Sequence, residues 1–186
     1  MTRNADDLPS QHIQGLPGPL SELPWSADFV MQAIEILPVD AKDGELVSFS
    51  PEHADSFIVG WPAGEQPEAV AGRALQTLGL RPAILHSTSW RQTGGEVVLT
   101  YLAVVDSSHG VPESWLVSPV VHVELARGDA TTPPPVIGVS QVLEHALRHL
   151  AWLIQEDSVI GRELPGWREP LADYVPEPFR AFSGPS

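Results

Sequence analysis

The pattern of apolar and polar positions divides the middle of the chain into short strands and two longer helices. Residues 45–49 and 56–61 read as strands separated by the polar run 50–55, and Asp43-Gly44 ahead of them is a turn signal. From Pro67 the period changes. Val70, Ala74 and Leu78 recur every four residues, with Ala71 and Leu75 widening the stripe, which predicts a helix over 67–78. Pro67 suits its first turn, Glu68 its positive end and Gly79 a left-handed stop. Residues 83–90 then alternate, placing Ile84, His86, Thr88 and Trp90 on one face. Gln92-Thr93-Gly94-Gly95 turns the chain into residues 96–105, which are apolar on both faces and predict a covered, central strand. A further strand is expected over 118–127. Val142, Leu143, Ala146, Leu147, Leu150, Leu153 and Ile154 give a last helix from an N-cap at Ser140 to about Asp157.

Prolines mark the borders. Leu16-Pro17-Gly18-Pro19 and Leu23-Pro24 resist helix and ladder alike, so residues 1–24 read as an extended N-terminal arm. Residues 25–37 allow either a short helix capped by Ser26 or Asp28 or a strand at 33–37. The three prolines within 128–135 stiffen the approach to the last helix. Beyond Leu164, five prolines mix with Trp167, Tyr174 and Phe179, a proline-rich tail over 164–186 expected to pack on the domain. Between arm and tail, residues 25–163 are expected to form one α/β domain: a mixed β-sheet with helices on both faces.

Composition narrows the function classes. The chain has 186 residues, 42% of them hydrophobic, which suffices for a single core. It holds 24 acidic residues against 10 basic, a formal net charge of −14, with Lys42 the one lysine. That field repels nucleic acid, and no Lys/Arg cluster offsets it. The acidity reads as a means of solubility. No apolar run is long enough to span a membrane, no secretory leader is visible, and the absence of cysteine fits a reducing compartment, so a cytoplasmic protein is expected.

One stretch carries a family likeness. Pro62-Ala63-Gly64-Glu65-Gln66-Pro67-Glu68-Ala69, Arg73-Ala74-Leu75 and Gly79-Leu80 resemble the signature of the Nudix hydrolases, so the resemblance implies a Nudix-like α/β/α sandwich. In that family, helix glutamates bind magnesium and help activate water for pyrophosphate cleavage. Aligned on Arg73, the places of those glutamates hold Ala74, Thr77 and Leu78; aligned on Gly79, they hold Arg73, Gln76 and Thr77. A hard cation bound next to a diphosphate needs several carboxylates. Only Glu65 and Glu68 remain, so the resemblance implies a degenerate, inactive Nudix box.

Elsewhere the candidates are histidines and a tryptophan. His86, Trp90 and His122, with Glu65 and Glu68, are the ligand-binding candidates; His86 and His122 sit in expected strands and could face a common pocket. His145 and His149 are four apart on the last helix, a spacing that brings two imidazoles within reach of one metal ion, although a third ligand is missing. No nucleophile elbow, dinucleotide fingerprint or Walker loop occurs. The expectation is a non-catalytic Nudix-like module that binds an unidentified small molecule or protein, needs no cofactor, and forms a homodimer through apolar arm, tail or strand surface. The alternative is a hydrolase, of nucleoside diphosphate type or metal-dependent, with its site outside the Nudix helix; only then would magnesium or zinc be required.

Overall fold

The computed structural model describes residues 31–93, 96–125 and 137–177. The expected arm 1–24, the Gly94-Gly95 turn, the breaker cluster 128–135 and the end of the tail from 178 lie outside the described residues.

The sheet is built around β1 (Met31–Lys42), so the open choice over residues 25–37 resolves to strand for its described part. Ile34 and Ile36 are buried on one face, Leu37 and Val39 on the other, as a strand covered on both sides requires. Pro38 lies inside this strand. Along one edge of β1, residues 33–36 pair with β3 (Phe57–Gly60) and residues 39–42 pair with β2 (Glu45–Pro51). Pro38 sits at the step between those two partners, where no strand on that side requires its missing N–H. Along the other edge β1 runs parallel to β5 (Glu96–Val105), with Ile34 opposite Leu99 and Ile36 opposite Tyr101.

Antiparallel partners complete the sheet: β4 (Pro82–Thr93) on β5, and β6 (Trp115–Pro119) on β2, giving the order β4-β5-β1-β2-β6. Asp43 and Gly44, at φ 54° and 82°, form the hairpin turn between β1 and β2; positive φ at both central residues suits a two-residue turn. The strand expected over 118–127 is displaced. Pairing covers residues 115–119 only, against residues 47–51 of β2, and residues 120–125 are irregular. Pro119 ends the ladder, after which one bond from Val120 N–H to Leu46 C=O remains.

Helices lie on both faces of this mixed sheet, the α/β architecture that the patterning implied. α1 (Pro67–Thr77) presses Val70, Ala71 and Leu75 onto Ile34, Ile36 and Tyr101. Its end follows the glycine logic: Gly79 at φ 75° lets Leu80 N–H reach Leu75 C=O and its own N–H reach Gln76 C=O. α2 (Val139–Glu156) covers the opposite face with Leu147 and Leu150 against Leu37, Val39 and Leu102. Its N-cap is Gly138 rather than Ser140, because the Gln141 side chain reaches back to accept the Gly138 N–H at 3.0 Å. None of the described helices is long and apolar enough to cross a membrane.

After α2, Asp157 caps α3 (Ser158–Glu163) by accepting from Val159 and Ile160 N–H. Leu164, Trp167, Leu171 and Tyr174 then enter the α2 core. Gly161 permits this reversal. A Cβ there would stand 2.8 Å from the Ile154 carbonyl oxygen, itself the acceptor for Arg168. Gly161→Ala is therefore expected to lower stability by about 1–3 kcal/mol, read as a fall in the urea midpoint at unchanged slope; an unaltered midpoint refutes the close approach.

Candidate functional site

The strand pattern of β1 hides one anomaly, a glutamate in the middle of an apolar run. Alternation sends Glu35 to the α2 side with Leu37 and Val39, where it is 0% exposed. Its carboxylate is fully met. Arg91 donates from Nη1 to Oε2 at 2.7 Å and from Nη2 to Oε1 at 2.8 Å, Thr100 Oγ1 donates to Oε2 at 2.9 Å, and Ser56 Oγ donates to Oε1 at 2.9 Å. Burial alone would push the Glu35 carboxyl up. The hydrogen bonds and charge of Arg91, with Thr100 and Ser56, more than offset that and hold it below its ordinary value.

Arg91 reaches Glu35 because β4 carries a bulge. The register slips between Ser87 and Ser89, leaving Thr88 buried and unpaired across the ladder, with Oγ1 3.4 Å from the Thr100 carbonyl oxygen. Strict alternation would have put His86, Thr88 and Trp90 on one face. The extra residue instead brings Ser89 and Arg91 to the face of His86 and turns Trp90, 68% exposed, the other way. Between β4 and α2 this leaves a cavity of about 220 Å³, with Ser89, Trp90 and Arg91 of β4 on one wall, Val142 and His145 on the other, and Leu125 and Ile137 at its sides; Trp90, a candidate from the sequence, thus borders it although most of its surface is exposed.

The four candidate histidines take three separate places. His86 and His149 stack with ring centroids 5.0 Å apart and Nε2 atoms 3.0 Å apart, and Trp152 stacks on His149 at 5.6 Å. His149 Nδ1 is 3.3 Å from the Glu177 carbonyl oxygen. The network assigns the tautomers: His149 donates from Nδ1 to that carbonyl, so its Nε2 accepts from His86. His145, one turn before His149 on α2, lines the cavity. His122, in the irregular segment after β6, instead places Nδ1 3.3 Å from Glu144 Oε2 and packs its ring 4.1 Å from that of Tyr174. Glu144 is buried and also accepts from Arg148 at 2.7 Å, while its Oε2 makes no well-directed hydrogen bond among the described residues. Burial and the Glu144 charge push Tyr174 up to about 12.

Burial, then the charge of His149, holds His86 below the ordinary histidine value; burial is also the main reason that His145 is lowered, with His149 and Arg148 adding to it and Glu177 opposing. A histidine whose folded value is depressed binds fewer protons in the native state. Its neutral form therefore supports the fold above pH 6.5 and that support is lost as pH falls through and below this value. His86→Gln is expected to flatten the fall in melting temperature between pH 7 and pH 5; a profile parallel to that of the parent protein removes His86 as a contributor.

On the opposite face of the sheet, Glu65 accepts an ion-pair hydrogen bond from Arg73, and Trp61 Nε1 donates to the Glu65 carbonyl at 2.8 Å. Glu68 is exposed in the first turn of α1. Thr77 turns its hydroxyl onto the Arg73 carbonyl and Leu78 packs on the core. Among the described residues no three His, Cys, Asp or Glu side chains are gathered closely enough to hold a metal ion. Glu35, Ser89 and Arg91 were absent from the sequence candidates. The signal for Glu35 was its place within an apolar strand; nothing in the sequence announces the bulge that delivers Arg91.

No protein-family model and no curated protein matches the chain. Among solved structures, it is similar to a Chromobacterium violaceum protein assigned provisionally to the Nudix hydrolase family, with 16% identity over 81% of this chain and 96% of that one and a TM-score of 0.42. It is also similar to the E. coli ORF135 protein, with 15% identity over 54% of this chain and 77% of that one and a TM-score of 0.32.

Proposed function

We propose that the chain is a non-catalytic, Nudix-like module that binds a small molecule or a protein partner. The observation that carries this reading is the content of α1. Where the family signature requires carboxylates the chain has Ala74, Thr77 and Leu78 when aligned on Arg73, or Arg73, Gln76 and Thr77 when aligned on Gly79, and Glu65, at the entry of α1, is engaged by Arg73. A divalent cation bridging a diphosphate needs several oxygen ligands at one place, and α1 supplies too few. The buried Glu35 offers no substitute, because Arg91, Thr100 and Ser56 already occupy its oxygens.

The test is turnover. Incubated with a panel of nucleoside diphosphate derivatives and millimolar magnesium, the protein is expected to release no product above the rate without protein. Hydrolysis at an ordinary enzymatic rate would sink the reading, and loss of that hydrolysis in Glu65→Gln or Glu68→Gln would place the missing chemistry at α1 after all.

A further inference from the structure

We infer that the cavity between β4 and α2 binds a small monocarboxylate with an apolar, ring-sized body. The inference rests on the binding-module reading and supplies the ligand class that it leaves open.

The first argument is the free edge of Arg91. Glu35 takes one hydrogen from each Nη, and Nη1 gives its second to Thr100 Oγ1 at 3.1 Å. The Nε–H and the second Nη2 hydrogen have no partner among the described residues, and these two point the same way in the guanidinium plane. That edge matches a carboxylate, two parallel N–H groups facing two oxygens. Glu35 and Thr100 fix the plane in advance, so little side-chain freedom remains to be lost on binding.

Charge sets the head group. Arg91 and Glu35 form a pair with no net charge, inside a protein of formal charge −14. Such a pair recognises an acceptor by direction more than by field, so a single negative charge is tolerated and a diphosphate is disfavoured. His145, kept in its neutral form by burial, adds a ring wall with one donor or acceptor and no second positive charge.

Size and lining set the body. A cavity of about 150 Å³ accommodates a benzene ring, so about 220 Å³ holds one ring with a short acidic substituent. Leu125, Ile137 and Val142 give that ring apolar contact. The site is on the α2 side of the sheet, away from α1 and the residues that resemble the Nudix signature. In the larger polar cleft beside Glu52, His53 and Asp55, at the start of α2, no buried side chain among the described residues reaches in without a partner.

The full-length, isotope-labelled protein titrated with benzoate and phenylacetate, with benzyl alcohol and inorganic pyrophosphate as controls, tests the site by NMR. The expected result is saturable shifts of the Arg91 Nε–H and of the backbone amides of Ser89, Val142 and His145, with a dissociation constant of about a millimolar or tighter. Benzyl alcohol, which lacks the carboxylate, should bind about tenfold more weakly, and pyrophosphate should leave these signals unmoved. Arg91→Lys keeps the charge beside Glu35 and removes the fork, so it should lose about tenfold in affinity for benzoate. Should that variant not fold, Ile137→Trp decides: Ile137 is 40% exposed, and the larger ring closes the cavity. Binding of benzoate undiminished in Ile137→Trp, or no saturable shift with either acid in the parent protein, overturns the inference. Magnesium-dependent hydrolysis would defeat the non-catalytic reading while leaving the benzoate titration unaffected, so the two failures are distinguishable.

Discussion

Arg91→Met is expected to destabilise the protein by about 3–5 kcal/mol, because it leaves the Glu35 carboxylate buried without its counter-charge. Glu35 has no exposed surface through which water could replace the guanidinium. Ser56 and Thr100 would still donate to it, and neither carries charge. The size of the effect comes from the orphaned ion and not from the net worth of the pair. Removing both charges is therefore the sharper measurement. Glu35→Leu combined with Arg91→Met should recover most of the loss, since well-packed apolar replacements of a buried pair are often neutral. A urea-unfolding double-mutant cycle reads this coupling directly. Additive single effects would show that the two side chains do not depend on one another. The pH dependence has a fixed sign. Glu35 is held below its ordinary value of 4.5, so its contribution is present above that value and is lost as pH falls through the lower folded value.

Trp167→Ala should have a comparable effect through a different cause. The indole is 6% exposed and packs in one cluster with Leu147, Leu150 and Leu171. Truncating a buried tryptophan costs about 3–5 kcal/mol, which for a chain of this length is a fall of about 10 °C in melting temperature. Trp90→Ala is the control: at 68% exposed, it should change stability by less than about 0.5 kcal/mol. Calorimetry separates the two variants. Equal losses would mean that the segment carrying Trp167 does not rest on α2. Faster proteolytic cutting near residues 164–177 in Trp167→Ala, with the rest of the chain protected, would locate the effect in that segment.

What could be read from the sequence was whatever one element decides by itself. The four-residue spacing of Val70, Ala74 and Leu78, the left-handed Gly79 and the Asp43-Gly44 turn are local, and each appears where the pattern placed it. The two-sided apolar run of β5 likewise marked a strand covered on both faces. β1 was ambiguous because Pro38 is tolerable only where one edge partner hands over to another, a fact of tertiary pairing. The position of β6 depended on how much of the β2 edge was free, which no window around Val117 contains. The largest omission was the pair Glu35–Arg91. Its partners are 56 residues apart, and the bulge at Thr88 that joins them reverses the face of every later residue in β4. His86 was expected to share a pocket with His122, yet its neighbour is His149, 63 residues away on α2.

The parallel pairing of β1 with β5 has a consequence for the order in which the protein can be made. Glu35 and Thr100, neighbours across that pairing, are 65 residues apart. At roughly 5–20 residues per second of synthesis, β5 follows β1 from the ribosome by several seconds. During that interval β2 and β3 can already line one edge of β1, while its other edge, the one that later pairs with β5, has only solvent or another nascent chain to bond. The strand that later sits at the centre of the sheet is thus its most exposed template during translation, and the carboxylate of Glu35 midway along it is then an unpaired charge that discourages stacking of one unfinished chain on the next.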